Sequence, residues 1–340
     1  MLSVPLPFIA GLVFAIVVYR SLNGVEAAGP RHTFLAFILL YALQGMIVGL
    51  RFGYGIHALA FIQPVTAAVM PPLAFLAFRS LSGSRPSRPF LHAAAPVAVG
   101  LSVAFLRDFV DALLLAIFFG YGLALYRLTF AGDEAAAEAS LHRARPVVRA
   151  ARLTAGLMLF FALSDGALAA YTAFYGNARV PAAVGLMNLV VIAAVLGCYL
   201  LPEGVAETQP IKDRDPPSGA DSATLARIDK VLEEGALYRD ENLSLARLAR
   251  KAGLPPREVS VVINRATGFN LAQFVNNRRV AEVCRLLKET KMPLTEIMFE
   301  AGFSTKSNFN REFRRVTGVS PSRYRTEALS GQADAPKTRT

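Results

Sequence analysis

Twelve residues near the C-terminus, Ser304 to Arg315, hold the densest chemistry in the chain: STKSNFNREFRR. Phe309 and Phe313 recur at the four-residue interval of a helix, so one face is apolar and the other polar and basic. Such a face suits a nucleic-acid duplex. Lys306 and Arg311 have the donors to read guanine O6 and N7, and Asn308 can reach adenine. Ser304, Thr305 and Ser307 add hydroxyls at the N-terminal end, where a helix entering a major groove meets base edges. Arg314, Arg315 and Lys291 suit phosphate, which positions a protein without specifying sequence. Nothing comparable points to catalysis. The chain has no CxxC or HExxH pattern and no nucleophile–base pair, so neither an enzyme, a metal nor a cofactor is expected.

The surrounding residues supply elements to hold this face. From Pro293, Leu294, Ile297 and Met298 turn inward on one helix, Gly302 makes the turn, Phe303, Phe309 and Phe313 anchor a second helix, and Ser304 caps that second helix. The segment LSLARLARKAGLPPREVSVVINRATG repeats the plan upstream. There Ser244 caps a helix with Leu245, Leu248 and Ala249 inward, and Gly253 supplies a left-handed turn. Pro255 or Pro256 opens a helix with Val259, Val262 and Ile263 in the core. A long helix burying Phe274, Val275, Val280, Val283, Leu286 and Leu287 joins the two units. An amphipathic helix with Leu225, Ile228, Val231 and Leu232 precedes them.

Over about residues 222–326 the chain resembles the DNA-binding domain of the AraC/XylS family of bacterial transcription regulators. The likeness rests on Ile297, Ala301-Gly302-Phe303, Ser307, Phe309, Arg311, Phe313, Arg314, Gly318, Pro321 and Tyr324-Arg325 at the family's spacing. The resemblance implies seven helices in two helix-turn-helix units that enter successive major grooves on one DNA face. It also implies that Arg257, Ser260 and Val261, with Asn264 alongside, read DNA from the first unit. Val261 departs from the polar or basic residue frequent there and suits a thymine methyl, which weakens sequence reading by that unit. Val283 replaces a commonly small residue on the linking helix. The family's familiar effector domain is a soluble sugar-binding-like barrel, so the resemblance does not explain the N-terminal half.

The N-terminal half is of another kind. Of the 340 residues 54% are hydrophobic and 18% charged, with mean hydropathy +0.40, and the net charge is +11, yet no lysine precedes Lys212. Apolar and basic characters are segregated into domains with different solvents. The basic half favours a polyanion, nucleic acid or anionic headgroups. Two cysteines, Cys198 and Cys284, give no disulfide framework, and a reducing cytosol fits the second half. The first residues lack the positive n-region of a signal peptide and read as a first span. Seven runs approach the ~20 residues needed to cross a bilayer: Met1–Tyr19, Thr33–Leu50, Ile56–Phe78, Phe90–Leu106, Phe109–Leu128, Leu153–Tyr175 and Val180–Leu201. Pro64, Pro71 and Pro72 predict a kinked or broken third span.

Loops on one side carry ten arginines and those on the other three. The arginine-rich side is cytoplasmic, which places the N-terminus outside. Seven crossings then put the basic half in the cytoplasm, where DNA is. The expected fold is all-α: a bundle of about seven transmembrane helices over 1–201, a Pro- and charge-rich linker over 202–221, a two-unit helix-turn-helix domain over 222–326 and a disordered tail over 327–340. The linker reads as a plain spacer, with proteolytic release as the alternative. Among polar groups in the spans, Asp165 and Gln44 are candidates for signal sensing, and an interhelical hydrogen bond is the plainer role for Asp165. Asp111 is placed to pair with Arg107 one turn back. Small residues in the sixth span point to close helix packing. No lysine is available for a retinal Schiff base, and no repeat suggests a transporter.

The function expected is a one-component transcription regulator in the bacterial cytoplasmic membrane. It would bind double-stranded DNA, act as a homodimer on DNA, and answer a small-molecule or membrane signal. Two other readings stay open: a transporter or membrane enzyme with a regulatory DNA-binding tail, and a passive tether of DNA to the lipid bilayer.

Overall fold

The computed structural model describes residues 9, 11–13, 15, 16, 19, 28–82, 88–176, 178–200 and 219–329, and among them every regular element is helical. The chain forms two compact units. One comprises residues 1–136 and 145–204, the other residues 137–144 and 205–340.

The first unit contains α1 (Ala28–Gly53), α2 (Ile62–Ser80), α3 (Ala94–Phe105), α4 (Val110–Leu128), most of α5 (Leu141–Tyr175) and α6 (Val180–Leu200). Helix α2 is its hub, packing on α1, α3 and α4. Ala68, Ala74 and Ala77 are fully buried along α2, and small side chains at these positions let its neighbours approach. Phe78 meets Phe34 of α1 edge-to-face at 5.0 Å, while Ala68 joins Val99 and Val110 in a small core. Helices α4 and α5 also approach closely. A Cβ on Gly166 would stand 2.7 Å from Leu115, and one on Gly122 would stand 3.1 Å from Leu159.

The outward faces invert the usual pattern of a water-soluble fold. Leu39, Phe105, Leu163 and Phe174 are among many large apolar side chains left open. Among the described residues, five helices are long and apolar enough to cross a membrane: His32–Gly53, Ile62–Ser80, Arg107–Leu128, Leu141–Tyr175 and Val180–Gly197. Of the other two expected spans, the first lies mostly outside the described residues, and the fourth is a shorter apolar segment, Pro89–Phe105. The third span is not broken. Helix α2 runs through Pro71 and Pro72, both buried, and Pro64 falls in its first turn, where a missing N–H costs nothing. The expected Arg107–Asp111 pair does not form: Arg107 lies over the Phe61 ring at 4.8 Å and its Nε donates to Val103 O.

The second unit contains α7 (Gly219–Glu234), α8 (Leu245–Ala252), α9 (Pro256–Thr267), α10 (Leu271–Glu289), α11 (Leu294–Glu300), α12 (Lys306–Thr317) and α13 (Pro321–Leu329). It has two cores strung on α10. Ile228, Leu232, Leu248, Ile263 and Val275 fill the first, and Val283, Ile297, Phe303 and Phe313 belong to the second. Asn270 opens α10 with a reciprocal capping box to Gln273. The buried Arg279 guanidinium joins the cores by donating to Tyr238 O at 2.6 Å and Asp240 O at 2.8 Å. Burial pushes its pKa down to about 10, so it stays charged. Gly302, at φ 87°, has no room for a side chain, because a Cβ would lie 2.6 Å from both Tyr238 O and Arg239 O.

One part of this unit comes from far upstream. Residues 137–144 pair with the start of α8 through an antiparallel bridge, Ser140 to Ser244. Leu141 N–H donates to Leu243 O, and Ala246 N–H donates to Ala137 O, both at 2.9 Å. Ala137 is fully buried in the first core. Helix α8 thus has its first-turn donors satisfied from two sources: Ser244 Oγ accepts from Arg247 N–H, and Ala137 O accepts from Ala246 N–H.

Candidate nucleic-acid interface

Helix α12 is set by its buried side. Phe303, Phe309, Phe313 and Tyr324 form a chain of edge-to-face and tilted rings 5.4 to 5.9 Å apart, which fixes the rotation of the helix. Lys306, Ser307, Asn310, Arg311, Arg314 and Arg315 are therefore left outside. The cap is Thr305 rather than Ser304: Thr305 Oγ1 accepts from Asn308 N–H at 3.3 Å, whereas Ser304 Oγ is buried without a partner. The extended backbone of Thr305 aims its oxygen back at the first turn, which is the geometry a cap requires.

The expected reading residues differ in readiness. The side chains of Lys306 and Arg314 make no hydrogen bond or ion pair with another described residue. Arg311 Nη2 donates to Asn308 Oδ1 at 2.7 Å, so these two polar residues form one oriented pair. Arg315 is tied inward, donating to Glu312 Oε2 at 2.9 Å and Asn277 Oδ1 at 2.7 Å, so phosphate must compete with those acceptors. Asn310 was passed over in the sequence. Its exposure one turn from Lys306 was signalled only by the phase of Phe309 and Phe313.

The first helix-turn-helix presents α9 more sparsely. Arg257 and Val261 are exposed, and Ser260 and Asn264 are half-buried. Val261 is an apolar residue open to solvent among polar neighbours. Arg265 is held by Asp221 at 3.2 Å. Behind both units a charge network braces α10. Glu282 accepts from Arg285 and Arg239, and Arg239 also reaches Glu300 at 3.2 Å. The Arg285 hydrogen bond, with Arg239 beside it, outweighs burial and holds the Glu282 carboxyl below the usual carboxylate range. Cys284 is buried and free. No group of His, Cys, Asp or Glu among the described residues could hold a metal ion.

Two short helix pairs, each closed by a left-handed glycine and presenting a polar second helix, define a double helix-turn-helix DNA-binding domain. Residues 248–327 match the family model described as a helix-turn-helix domain, and this part of the chain is of the AraC type. The chain is 25% identical to the multiple antibiotic resistance protein MarA of Escherichia coli K12 over 91 residues, 27% of this chain and 72% of MarA. It is 29% identical to the arabinose operon regulatory protein of the same organism over 86 residues, a quarter of this chain (25%) and 30% of that protein. With the virulence regulon transcriptional activator VirF of Yersinia enterocolitica the identity is 30% over 104 residues, 31% of this chain and 37% of VirF. The chain thus spans about a third of the last two relatives. No solved structure matches it.

Proposed function

We propose that the protein is a one-component transcription regulator embedded in the bacterial cytoplasmic membrane. It reads specific double-stranded DNA through α12, assisted by α9, and answers a signal received in its first unit. One observation carries this reading: a single chain bears a helix-turn-helix domain with an open polar face and five helices long and apolar enough to cross a bilayer. Lys306, Ser307, Asn308 and Arg311 read bases, with Ser304 and Thr305 at the helix entrance. Arg314 and Arg315 hold phosphate, and Arg257, Ser260, Val261 and Asn264 serve the first helix-turn-helix. Seven crossings, N-terminus outside, remain the proposed topology. Pro89–Phe105 opens with five residues of 3₁₀ helix followed by twelve of α-helix, roughly 28 Å in all, close to the ~30 Å hydrocarbon thickness. Any odd number of crossings keeps the DNA-binding unit opposite the N-terminus. Two copies on paired half-sites gain from effective concentration, which favours a homodimer on DNA. Gln44 and Asp165 line one cavity of the first unit, which supports a receptor role for both.

The test is selection of random duplex DNA by the full-length protein in lipid nanodiscs. A defined motif should emerge, and Arg311→Ala should weaken binding to it by about 1–3 kcal/mol and relax specificity at one position. Weak, salt-sensitive binding that Arg311→Ala leaves unchanged would refute base reading by α12.

A further inference from the structure

The cavity in the first unit measures about 750 Å³, the size of a small-molecule site, and α1, α2, α4, α5 and α6 all contribute to it. Its polar lining includes Gln44, Arg51, Gln63, Asp111, Asp165 and Asn188. Most of these groups are already engaged. Gln44 Oε1 accepts from Thr66 at 2.6 Å, and Arg51 Nη1 donates to Gln63 Oε1 at 2.5 Å. Asn188 donates to Val184 O at 2.8 Å. Arg51 also lies over the Phe52 ring at 4.8 Å and interacts electrostatically with Asp111. Asp165 differs. Among the described residues no donor reaches its carboxylate, and its one electrostatic neighbour is Asp111, of like charge.

The cavity's ionisable lining is thus Arg51, His57 and two carboxylates, with Arg51 and Asp111 offsetting each other. Asp165, whose side chain is exposed at the cavity rather than buried, is left as a surplus negative group on a helix read as membrane-spanning. An unpaired carboxylate at bilayer depth is costly, and a ligand that brings a positive N–H donor removes the cost. The rest of the lining suits what such a cation would carry. Phe118 and Phe161 bring aromatic rings to the lining, suited to an ammonium or an aromatic body, and Val48, Met70, Leu114 and Met187 offer apolar surface. An anion would find Arg51, already engaged, and His57, with two carboxylates opposing it.

We propose that this cavity binds a small organic cation, a protonated amine on an apolar or aromatic body, with its ammonium on Asp165. The inference rests on the reading of the first unit as receptor and names the class of signal. Asp111 shares the ammonium's field and Gln44 sets the polar end of the site.

The experiment uses full-length protein in nanodiscs and three tritiated probes of one shape: phenethylamine, its neutral N-acetyl derivative and anionic phenylacetate. The amine should bind saturably and at least tenfold more tightly than the other two. Asp165→Asn should weaken the amine at least tenfold and leave the neutral amide unchanged, while Arg51→Gln should not weaken the amine. Equal binding of amine and amide, preference for phenylacetate, no binding of any probe, or an amine affinity unmoved by Asp165→Asn would each overturn the proposal. DNA affinity is measured on the same samples. Sequence-specific DNA binding without amine binding would sink the cavity assignment alone. Amine binding that leaves DNA affinity unmoved would keep the site and remove its role as signal receptor. Retained DNA binding by Asp165→Asn shows that the variant is folded.

Discussion

Replacing Ala137 with aspartate should loosen the first helix-turn-helix unit, although residue 137 lies more than a hundred positions upstream of it. Ala137 is fully buried in the first core, and its carbonyl takes an N–H of α8 that has no acceptor inside its own helix. A carboxylate cannot stay there unpaired, because breaking the balance of a buried charge costs about 3–5 kcal/mol. Undocking the segment is the cheaper escape. It forfeits burial of the Ala137 methyl, about 0.8 kcal/mol, two backbone hydrogen bonds at about 1 kcal/mol each, and the packing of Leu141 on the first core. The loss is thus at least about 3 kcal/mol, on the order of 100-fold or more in an opening equilibrium. The assay is hydrogen exchange on the full-length protein in nanodiscs, read at the Ala246 amide that donates to Ala137 O. Exchange there should accelerate by about that factor, with α12 amides unchanged. Ala137→Gly keeps the carbonyl and should cost about 1 kcal/mol, roughly fivefold. Unaltered Ala246 exchange in folded Ala137→Asp would refute the reasoning, since the segment would then contribute nothing.

Three further outcomes follow from the second unit. Gly302→Ala should destabilise by about 2–3 kcal/mol, from positive φ and collision with the carbonyls of Tyr238 and Arg239; a thermal midpoint equal to the parent's would contradict this. Thr305→Ala should cost about 1 kcal/mol as the loss of a cap, while Ser304→Ala should be nearly neutral, because its hydroxyl is buried without a partner; urea unfolding of the two variants checks the order. Glu282 has a lowered folded pKa, so its contribution is complete above its unfolded value of about 4.3 and fades as pH falls below it. Protection of α10 amides should therefore drop as pH falls from that unfolded value through the lowered folded one, and Glu282→Gln should flatten that drop; an unchanged profile would place the acid sensitivity elsewhere.

The second unit was legible because its signals are local. Gly253 and Gly302 adopt positive φ where turns were expected, Ser244 caps α8, Pro256 opens α9, and Phe303, Phe309 and Phe313 sit in the core. Each depends on neighbours within a few positions. The cap of α12 was misjudged by one residue because Ser304 and Thr305 are chemically alike, and only the extended backbone of Thr305 turns its oxygen toward Asn308 N–H. In the first unit length and apolarity marked candidate helices, but not how they meet. That Gln44 of α1 and Asp165 of α5 share a cavity depends on helix rotation, which an almost uniformly apolar surface barely encodes.

The segment 137–144 exposes the physical limit more sharply. A helix beginning at Leu245 leaves its first N–H groups without intrahelical acceptors, and the sequence declares that need openly. Ser244 answers one donor from beside it, and that answer can be read from the string alone. Ala246 N–H is answered by a backbone carbonyl, a group every residue carries, from a position 109 residues away by number, Ala137. An alanine has no side-chain chemistry to announce such a role. Its only marks are a methyl small enough to enter the first core and a chain path that brings it there. Demand for an acceptor is thus a local property of a sequence, while supply through the backbone is anonymous and becomes visible only in three dimensions. The same asymmetry makes residues 219–329 an incomplete unit: taken alone they lack the Ala137 carbonyl and methyl, and the donor of Ala246 falls to water.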